Sequence, residues 1–404
     1  MPFSELHLPP QLQKAVHEQG YTAPTQIQKK AIPLILQKKD IIGHSETGSG
    51  KTAAFGLPLL SMISHGKGIQ GLILTPTREL CLQVSEALRG FSKYLPVRIV
   101  SVFGGVGIGP QLGALRTADV VVATPGRLLD VMSRGVKLTS VSYVVLDEAD
   151  RMLDMGFIDD VEKILRSTPK QRQTLLFSAT LSPKLRSLVH SYMNAPVSIQ
   201  AETQVDTRLL SERAYIVPQQ DKFSLLVHFL RNETKGIALV FCKTRHSCDR
   251  IARNLRNQKI NATEIHGGLS QNKRTFTITN LHKRGTGVLV ATDVASRGLH
   301  ISNVSHVYNY ELPQTPDDYV HRIGRTARAG AKGDAITLVT QQDSRSFGGM
   351  LRTLGRHLSP STLPAFEKVA VLAPAPNSGH ERHLGSFHSS PAKKNFKQFR
   401  RWKR

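Results

Sequence analysis

The chain has 404 residues, 40% of them hydrophobic and 21% charged, with a formal net charge of +24. That length predicts two domains of about 150–200 residues. No apolar run approaches the ~18 residues of a membrane span, and MPFSELHLPP lacks a basic segment followed by an apolar one, so neither a membrane span nor a secretory signal is expected. The charge points to a polyanionic partner, nucleic acid or an anionic membrane surface. Cys81, Cys242 and Cys248 suit a reducing cytoplasm, lack zinc-ligand spacing and read as buried thiols.

In chain order, short β-branched runs alternate with helical periodicity. The first series is DIIGHS, GLILTPT, VRIVSVFGG, DVVVATPG, YVVLDEAD and TLLFSAT. The second is IALVFCKT, ATEIHGG, GVLVATD, HVYNYELP and DAITLVT. Helical segments such as 79–91 and 248–258 lie between them. This spacing predicts an α/β fold with parallel sheets and helices on both faces, in two similar lobes. Expected boundaries are a first domain at 1–203, a linker at 204–211, a second domain at 212–345 and a disordered basic tail at 346–404. The last fourteen residues hold seven Lys/Arg and no acid. Phe396, Phe399 and Trp402 interleave with those cations, a pattern suited to base stacking beside phosphate contacts.

The stretch HSETGSGKT ends as a phosphate-binding loop does. A strand, a Gly-rich turn and a helix would wrap phosphates in backbone N–H groups, with Lys51 on the outer phosphates and Thr52 on Mg²⁺. The usual first glycine is Ser45, small enough to leave the loop intact. A second element agrees with it. The apolar run VSYVVL ends in Asp147-Glu148-Ala149-Asp150, and carboxylates at a strand's C-terminal end face the ligand edge of such a sheet. Asp147 would hold Mg²⁺ through water, and Glu148 would polarise an attacking water.

From Phe3 to Val339 the chain resembles the DEAD-box ATP-dependent RNA helicases of superfamily 2, most like the short bacterial-type members. The phosphate loop SETGSGKT resembles that family's, with Ser45 for its alanine. GYTAPTQIQ resembles the Q motif, which implies that Gln28 reads adenine, with Tyr21 beside it and Phe3, 17 positions ahead of Gly20, stacking on the base. The resemblance implies two tandem RecA-like parallel-sheet domains. It also implies nucleotide contacts from Ser45, Glu46, Thr47, Gly48, Ser49, Gly50, Lys51, Thr52 and Asp293. Catalysis would fall to Lys51, Asp147, Glu148, Arg325 and Arg328, the two arginines meeting the γ-phosphate when the lobes close. Asp150, Ser178, Thr180 and His321 would couple the ATP state to strand separation. RNA contacts would come from Pro76, Thr77, Arg78, Gly104, Gly105, Thr124, Pro125, Gly126 and Arg127 on the first lobe. On the second they would come from His266, Gln271, Arg274, Thr292, Arg297 and Gly298. ATP and Mg²⁺ are the implied cofactors. RNA of little sequence specificity is the implied partner, with ribosome-assembly or mRNA-decay proteins as further candidates. The expected protein is a cytoplasmic monomer without membrane attachment.

Two positions depart from the family pattern. His300 stands where an acid contacts the ATP ribose, and predicts weaker ATP affinity in the closed state. Ala327 replaces a glycine in HRIGRTAR and is expected to continue a helix. Three rival readings are a DNA-directed helicase, a non-hydrolysing ATP-gated RNA-binding scaffold and a P-loop kinase. The presence of Lys51, Thr52, Asp147, Glu148, Arg325 and Arg328 disfavours the scaffold; the duplicated lobe and its arginines disfavour the kinase.

Overall fold

The β-branched runs become strands of two wholly parallel sheets, seen in a computed structural model that describes residues 2–44, 49–200, 209–296, 301, 304–327 and 331–371. The side chains of Gln271, Asn272, Thr275, His282, Val294 and Ser296 also lie outside that description. The first sheet contains β1 (Ile41–His44), β2 (Gly71–Leu74), β3 (Ile99–Val102), β4 (Val120–Ala123), β5 (Tyr143–Asp147), β6 (Gln173–Ser178) and β7 (Val197–Gln200). Its order is β3-β4-β2-β5-β6-β1-β7. The second contains β8 (Leu210–Ile216), β9 (Ile237–Cys242), β10 (Ala262–Ile265), β11 (Gly287–Thr292), β12 (Val304–Asn309) and β13 (Gly333–Val339), in the order β10-β11-β9-β12-β13-β8.

Both faces of each sheet are covered, so central strands are apolar throughout. Side chains alternate between faces with a period of two. Ile73, Val120 and Val122 enter one core of the first lobe, and Leu72, Leu74 and Val121 enter the other. In the second lobe Ala238 and Val240 face one core, and Ile237, Leu239 and Phe241 the opposite one.

The sequence reading missed β7 and β8, both edge strands with one neighbour each. Strand β8 reads LSERAYI and carries Ser211, Glu212 and Arg213 in succession, so it lacks an apolar run. It begins at Leu210, inside the segment expected to be linker. The C-terminal expectation also changes. A helix spans Ser344–Thr353, and the following chain packs back on the second lobe. Ser361 N–H donates to the Ala214 carbonyl (2.7 Å), Val369 N–H donates to Ser224 Oγ (3.1 Å), and Phe366 and Val369 meet the core. Structure therefore persists beyond Arg345; residues 372–404, including the basic end, lie outside the described set.

Candidate active site

Topology gathers the expected catalytic groups. Strand β6 lies between β1 and β5, with His44 in register with Ser178 and Asp147 with Phe177. The segments leaving these three strands thus emerge side by side at one sheet edge. Lys51 opens the helix Lys51–Met62 after β1, Glu148 follows β5, and Ser178 ends β6.

Gln28 ties two elements together. Its Oε1 accepts from Thr25 N–H (2.9 Å), closing the start of the helix Gln26–Leu36 as a capping box. Its Nε2 donates to the Gly50 carbonyl (3.1 Å), and Thr25 Oγ1 donates to the Ser49 carbonyl (2.9 Å). The amide expected to face adenine is buried and engaged on both sides. Gly50 has φ +89°, and a Cβ there would stand 2.5 Å from Gln28 Nε2, so both its conformation and its contact require glycine. Phe3 is 8% exposed and meets Tyr21 edge-on (6.3 Å between centroids), while Tyr21 meets Phe91 (5.7 Å). Both rings serve the core margin in this structure. Ser45, Glu46, Thr47 and Gly48 lie outside the described residues.

Lys51 Nζ stands 3.7 Å from Asp147 Oδ1, an ion pair too long for a hydrogen bond. Burial pushes the Asp147 carboxyl up to about 6; Lys51 opposes this and the neighbouring Glu148 reinforces it. Asp147 Oδ1 is buried and accepts no hydrogen bond among the described residues. A buried carboxylate oxygen lacking such a donor fits a hydrated magnesium ion, which keeps several waters and needs few protein ligands; Thr52, half-buried, follows Lys51 at the start of its helix. Glu148 adopts a left-handed conformation (φ +54°, ψ +53°), uncommon for a side chain of this size. Its Oε2 lies 3.0 Å from Arg151 Nη1, both groups being buried.

Asp150 joins this loop to the end of β6. Its Oδ2 accepts from Ala179 N–H (2.9 Å) and Thr180 N–H (3.1 Å). Its own N–H donates to Ser178 Oγ (3.2 Å), whose hydroxyl donates to the Thr180 carbonyl (2.6 Å). Three of the four residues expected to couple, Asp150, Ser178 and Thr180, are thus one hydrogen-bonded unit within the first lobe.

In the second lobe Arg322 organises the corresponding edge. Its Nε and Nη2 grip Asp293 bidentately (2.6 and 2.7 Å), and Nη1 donates to Asn309 Oδ1 (3.2 Å) and the Glu311 carbonyl (2.7 Å). The guanidinium also lies over the Phe241 ring, 4.9 Å from its centroid. Both oxygens of Asp293, a residue expected on the nucleotide, accept from Arg322, which anchors the helix Pro316–Ile323. His321 sits half-buried on that helix, and Arg325 is buried just beyond it. Ala327 does not continue the helix: at φ +53° it is left-handed, where a Cβ costs about 1–2 kcal/mol and glycine would be free of that strain. Arg328, Arg297, Gly298 and His300 lie outside the described residues.

Expected RNA contacts on the first lobe cluster. Thr77 caps the helix Arg78–Phe91, accepting from Leu80 N–H (3.3 Å). Pro76 is buried and precedes it. The Arg78 guanidinium lies across Gly105 (φ +82°), in the volume a Cβ would need, and Gly104 lies between Arg78 and Arg127. Arg127 donates to the Val106 carbonyl (3.1 Å) from the helix Pro125–Ser133, which follows Thr124 and contains Gly126. In the second lobe Thr292 ends β11. His266 is buried: its Nε2 meets Asp249 Oδ1 (2.9 Å), and its Nδ1 accepts from Gly268 N–H (3.2 Å). These two bonds hold His266 against the Gly267-Gly268 turn. Gln271 begins the helix Gln271–Arg284. Arg274 pairs with Glu79 of the first lobe (3.1 Å) and donates to the Ala295 carbonyl (3.3 Å).

Sequence reasoning missed Glu79, Arg151 and Arg322. Arg151 had a signal, since it lies three positions after Glu148, the spacing of neighbours on a helix. Glu79 lies within PTREL and Arg322 within HRIGRTAR, but nothing in either motif names their partners, which are remote in sequence.

Residues 25–188 match the DEAD/DEAH box helicase family, and residues 221–330 match the helicase conserved C-terminal domain. The chain belongs to the DEAD-box helicase family. It is 44% identical over 91% of its length to the ATP-dependent RNA helicase CshA of Listeria monocytogenes, covering 71% of that protein. It is 40% identical over 91% of its length to the DEAD-box ATP-dependent RNA helicase CshA of Bacillus subtilis, covering 75% of that one. The fold matches Saccharomyces cerevisiae Dbp5 bound to RNA and ADP BeF3 with a TM-score of 0.81, at 30% identity, over 89% of this chain and 95% of the other. It matches a DEAD box protein from Methanococcus jannaschii with a TM-score of 0.56, at 39% identity, over 90% and 99%.

Proposed function

We propose that the chain is an ATP-dependent RNA helicase that hydrolyses ATP under RNA stimulation and locally separates short duplexes or remodels RNA–protein complexes. The observation that carries this reading is the junction of Lys51, Asp147, Glu148 and the Asp150–Ser178–Thr180 unit at the adjoining ends of β1, β5 and β6.

Lys51 neutralises the outer phosphates of ATP. Asp147 and Thr52 would hold a hydrated Mg²⁺, which neutralises phosphate charge when bound. Glu148, oriented by Arg151, takes a proton from the attacking water. Arg325 and Arg328 meet developing charge on the γ-phosphate, a contribution of about 10³–10⁵ in rate for such arginines. Gln28 links the base pocket to the phosphate loop through Gly50. RNA phosphates lie on Arg78, Arg127 and the turn at Gly104-Gly105, contacts that bind without reading sequence. ATP and RNA each favour closed lobes, so each tightens the other.

The finer setting we propose is a cytoplasmic monomer working on ribosomal or messenger RNA with their assembly or decay proteins; it rests on the resemblance alone. No helix among the described residues is long and apolar enough to cross a membrane. The test is ATP hydrolysis with single-stranded RNA, with DNA and without nucleic acid. Stimulation by RNA alone is expected. RNA binding without hydrolysis would restore the scaffold reading, and equal stimulation by DNA would restore the DNA-directed one.

A further inference from the structure

Phe276 is 67% exposed on the helix Gln271–Arg284, a large apolar ring in a surface that is otherwise polar and basic. It stands at the wall of a cavity of about 220 Å³ between that helix, the edge strand β10 and the start of β11. Asn261, Thr263, Asn280, Arg284 and Thr286 line the same cavity. Phe276, Asn280 and Arg284 recur at four-residue intervals and so share one helix face. Arg284 Nη1 lies 3.4 Å from Asn261 Oδ1, which leaves its other N–H groups for a ligand. No carboxylate lines the cavity. The acid of β10, Glu264, is already held by Arg256 (2.8 Å) and Lys273 (3.3 Å).

A π-face, two side-chain amides and a guanidinium without a neighbouring acid form the chemistry that holds an unstacked nucleotide. The ring stacks on any base, the amides offer donors and acceptors to its edge, and the arginine takes a phosphate. The cavity is lined from the N-terminal ends of β10 and β11, whereas Thr292 and the other expected contacts of this sheet lie at or beyond its C-terminal end. From this we infer that the second lobe carries a separate nucleobase-binding site at Phe276, which captures one base of an RNA strand extending beyond the cleft. This rests on the proposed RNA-helicase function.

The test measures affinity of the full chain for oligouridylates of about 8 and about 20 nucleotides, in the wild type and in Phe276→Ala, Phe276→Tyr and Arg284→Gln. Stacking on one aromatic corresponds to a loss of about 5- to 150-fold on truncation to alanine. Phe276→Ala is expected to weaken the long strand within that range, leave the short strand unchanged and leave ATP hydrolysis at saturating RNA unchanged. Phe276→Tyr should restore the long-strand affinity. Arg284→Gln should lower the salt slope for the long strand by about 0.7, one phosphate contact on a single strand. Ultraviolet crosslinking of the long strand should map to Phe276. Unchanged long-strand affinity in Phe276→Ala overturns the inference, as does an equal loss for both lengths. If the wild type hydrolyses ATP without response to any RNA, the proposed function fails instead, and the two failures are distinguishable.

Discussion

Gln28 and Gly50 are joined by a hydrogen bond of 3.1 Å, so the amide that begins one helix also grips the loop that begins another. Gln28→Glu keeps an acceptor for Thr25 N–H but removes the donor to the Gly50 carbonyl. It should raise the KM for ATP and cost at least as much stability as Gln28→Ala, because it sets a buried carboxylate against a carbonyl, whereas the alanine strands two part-buried backbone groups. The alanine variant should lose about 1–3 kcal/mol per stranded group. Urea denaturation beside ATP titration of hydrolysis separates the two effects.

Asp147 should trade stability against activity. Its folded pKa of about 6 exceeds the unfolded value, so its contribution to stability is present below about pH 4 and is lost as pH rises toward 6. Asp147→Asn should therefore stabilise the nucleotide-free protein at pH 7.5, by about 1–3 kcal/mol, while abolishing hydrolysis. In the wild type the acid limb of the ATPase profile should fall near pH 6. It should move to lower pH as Mg²⁺ is raised, since metal and proton compete for one carboxylate. An acid limb insensitive to Mg²⁺ would assign it to another group.

Glu148→Gln should lower kcat by about 10²–10⁴ with ATP and RNA affinity retained, the size expected for loss of a general base. Arg151→Met should lower kcat less, because it frees the carboxylate from its 3.0 Å partner without removing it. Single-turnover hydrolysis with bound RNA measures both.

Ser178→Ala removes the acceptor for Asp150 N–H and the donor to the Thr180 carbonyl. RNA-stimulated hydrolysis should survive and duplex separation should fall. A proportional loss of both would mean that these bonds maintain the site without transmitting its state.

Asp293→Ala should destabilise the second lobe by about 3–5 kcal/mol, because Arg322 is left buried without its bidentate partner. The KM for ATP of the remaining folded protein should change little. A large KM change at preserved stability would return Asp293 to the nucleotide.

What was legible in the sequence was whatever is buried on both sides or repeated at a strand end. The eleven apolar runs became strands, and Lys51, Asp147 and Ser178 came together because the parallel topology sends neighbouring strand ends to one edge. Edge strands β7 and β8 were hidden because one neighbour suffices to hold them and polar residues are tolerated. Gln28, Asp293 and His266 have recognisable positions, but a motif gives a residue's address and not the direction of its hydrogen bonds. Ala327 was misread for the converse reason: alanine favours a helix, whereas this position is set by the turn after one.

Gly105 has no side chain with which to touch RNA, yet a mutational survey would score it as though it did. Any replacement there evicts the Arg78 guanidinium and strains a left-handed backbone, so the injury would register as weakened RNA affinity. The glycine acts as a mould whose shape is visible only in the arginine cast against it. A map drawn from loss of function alone would therefore mark a side-chain contact at a residue that serves by being empty.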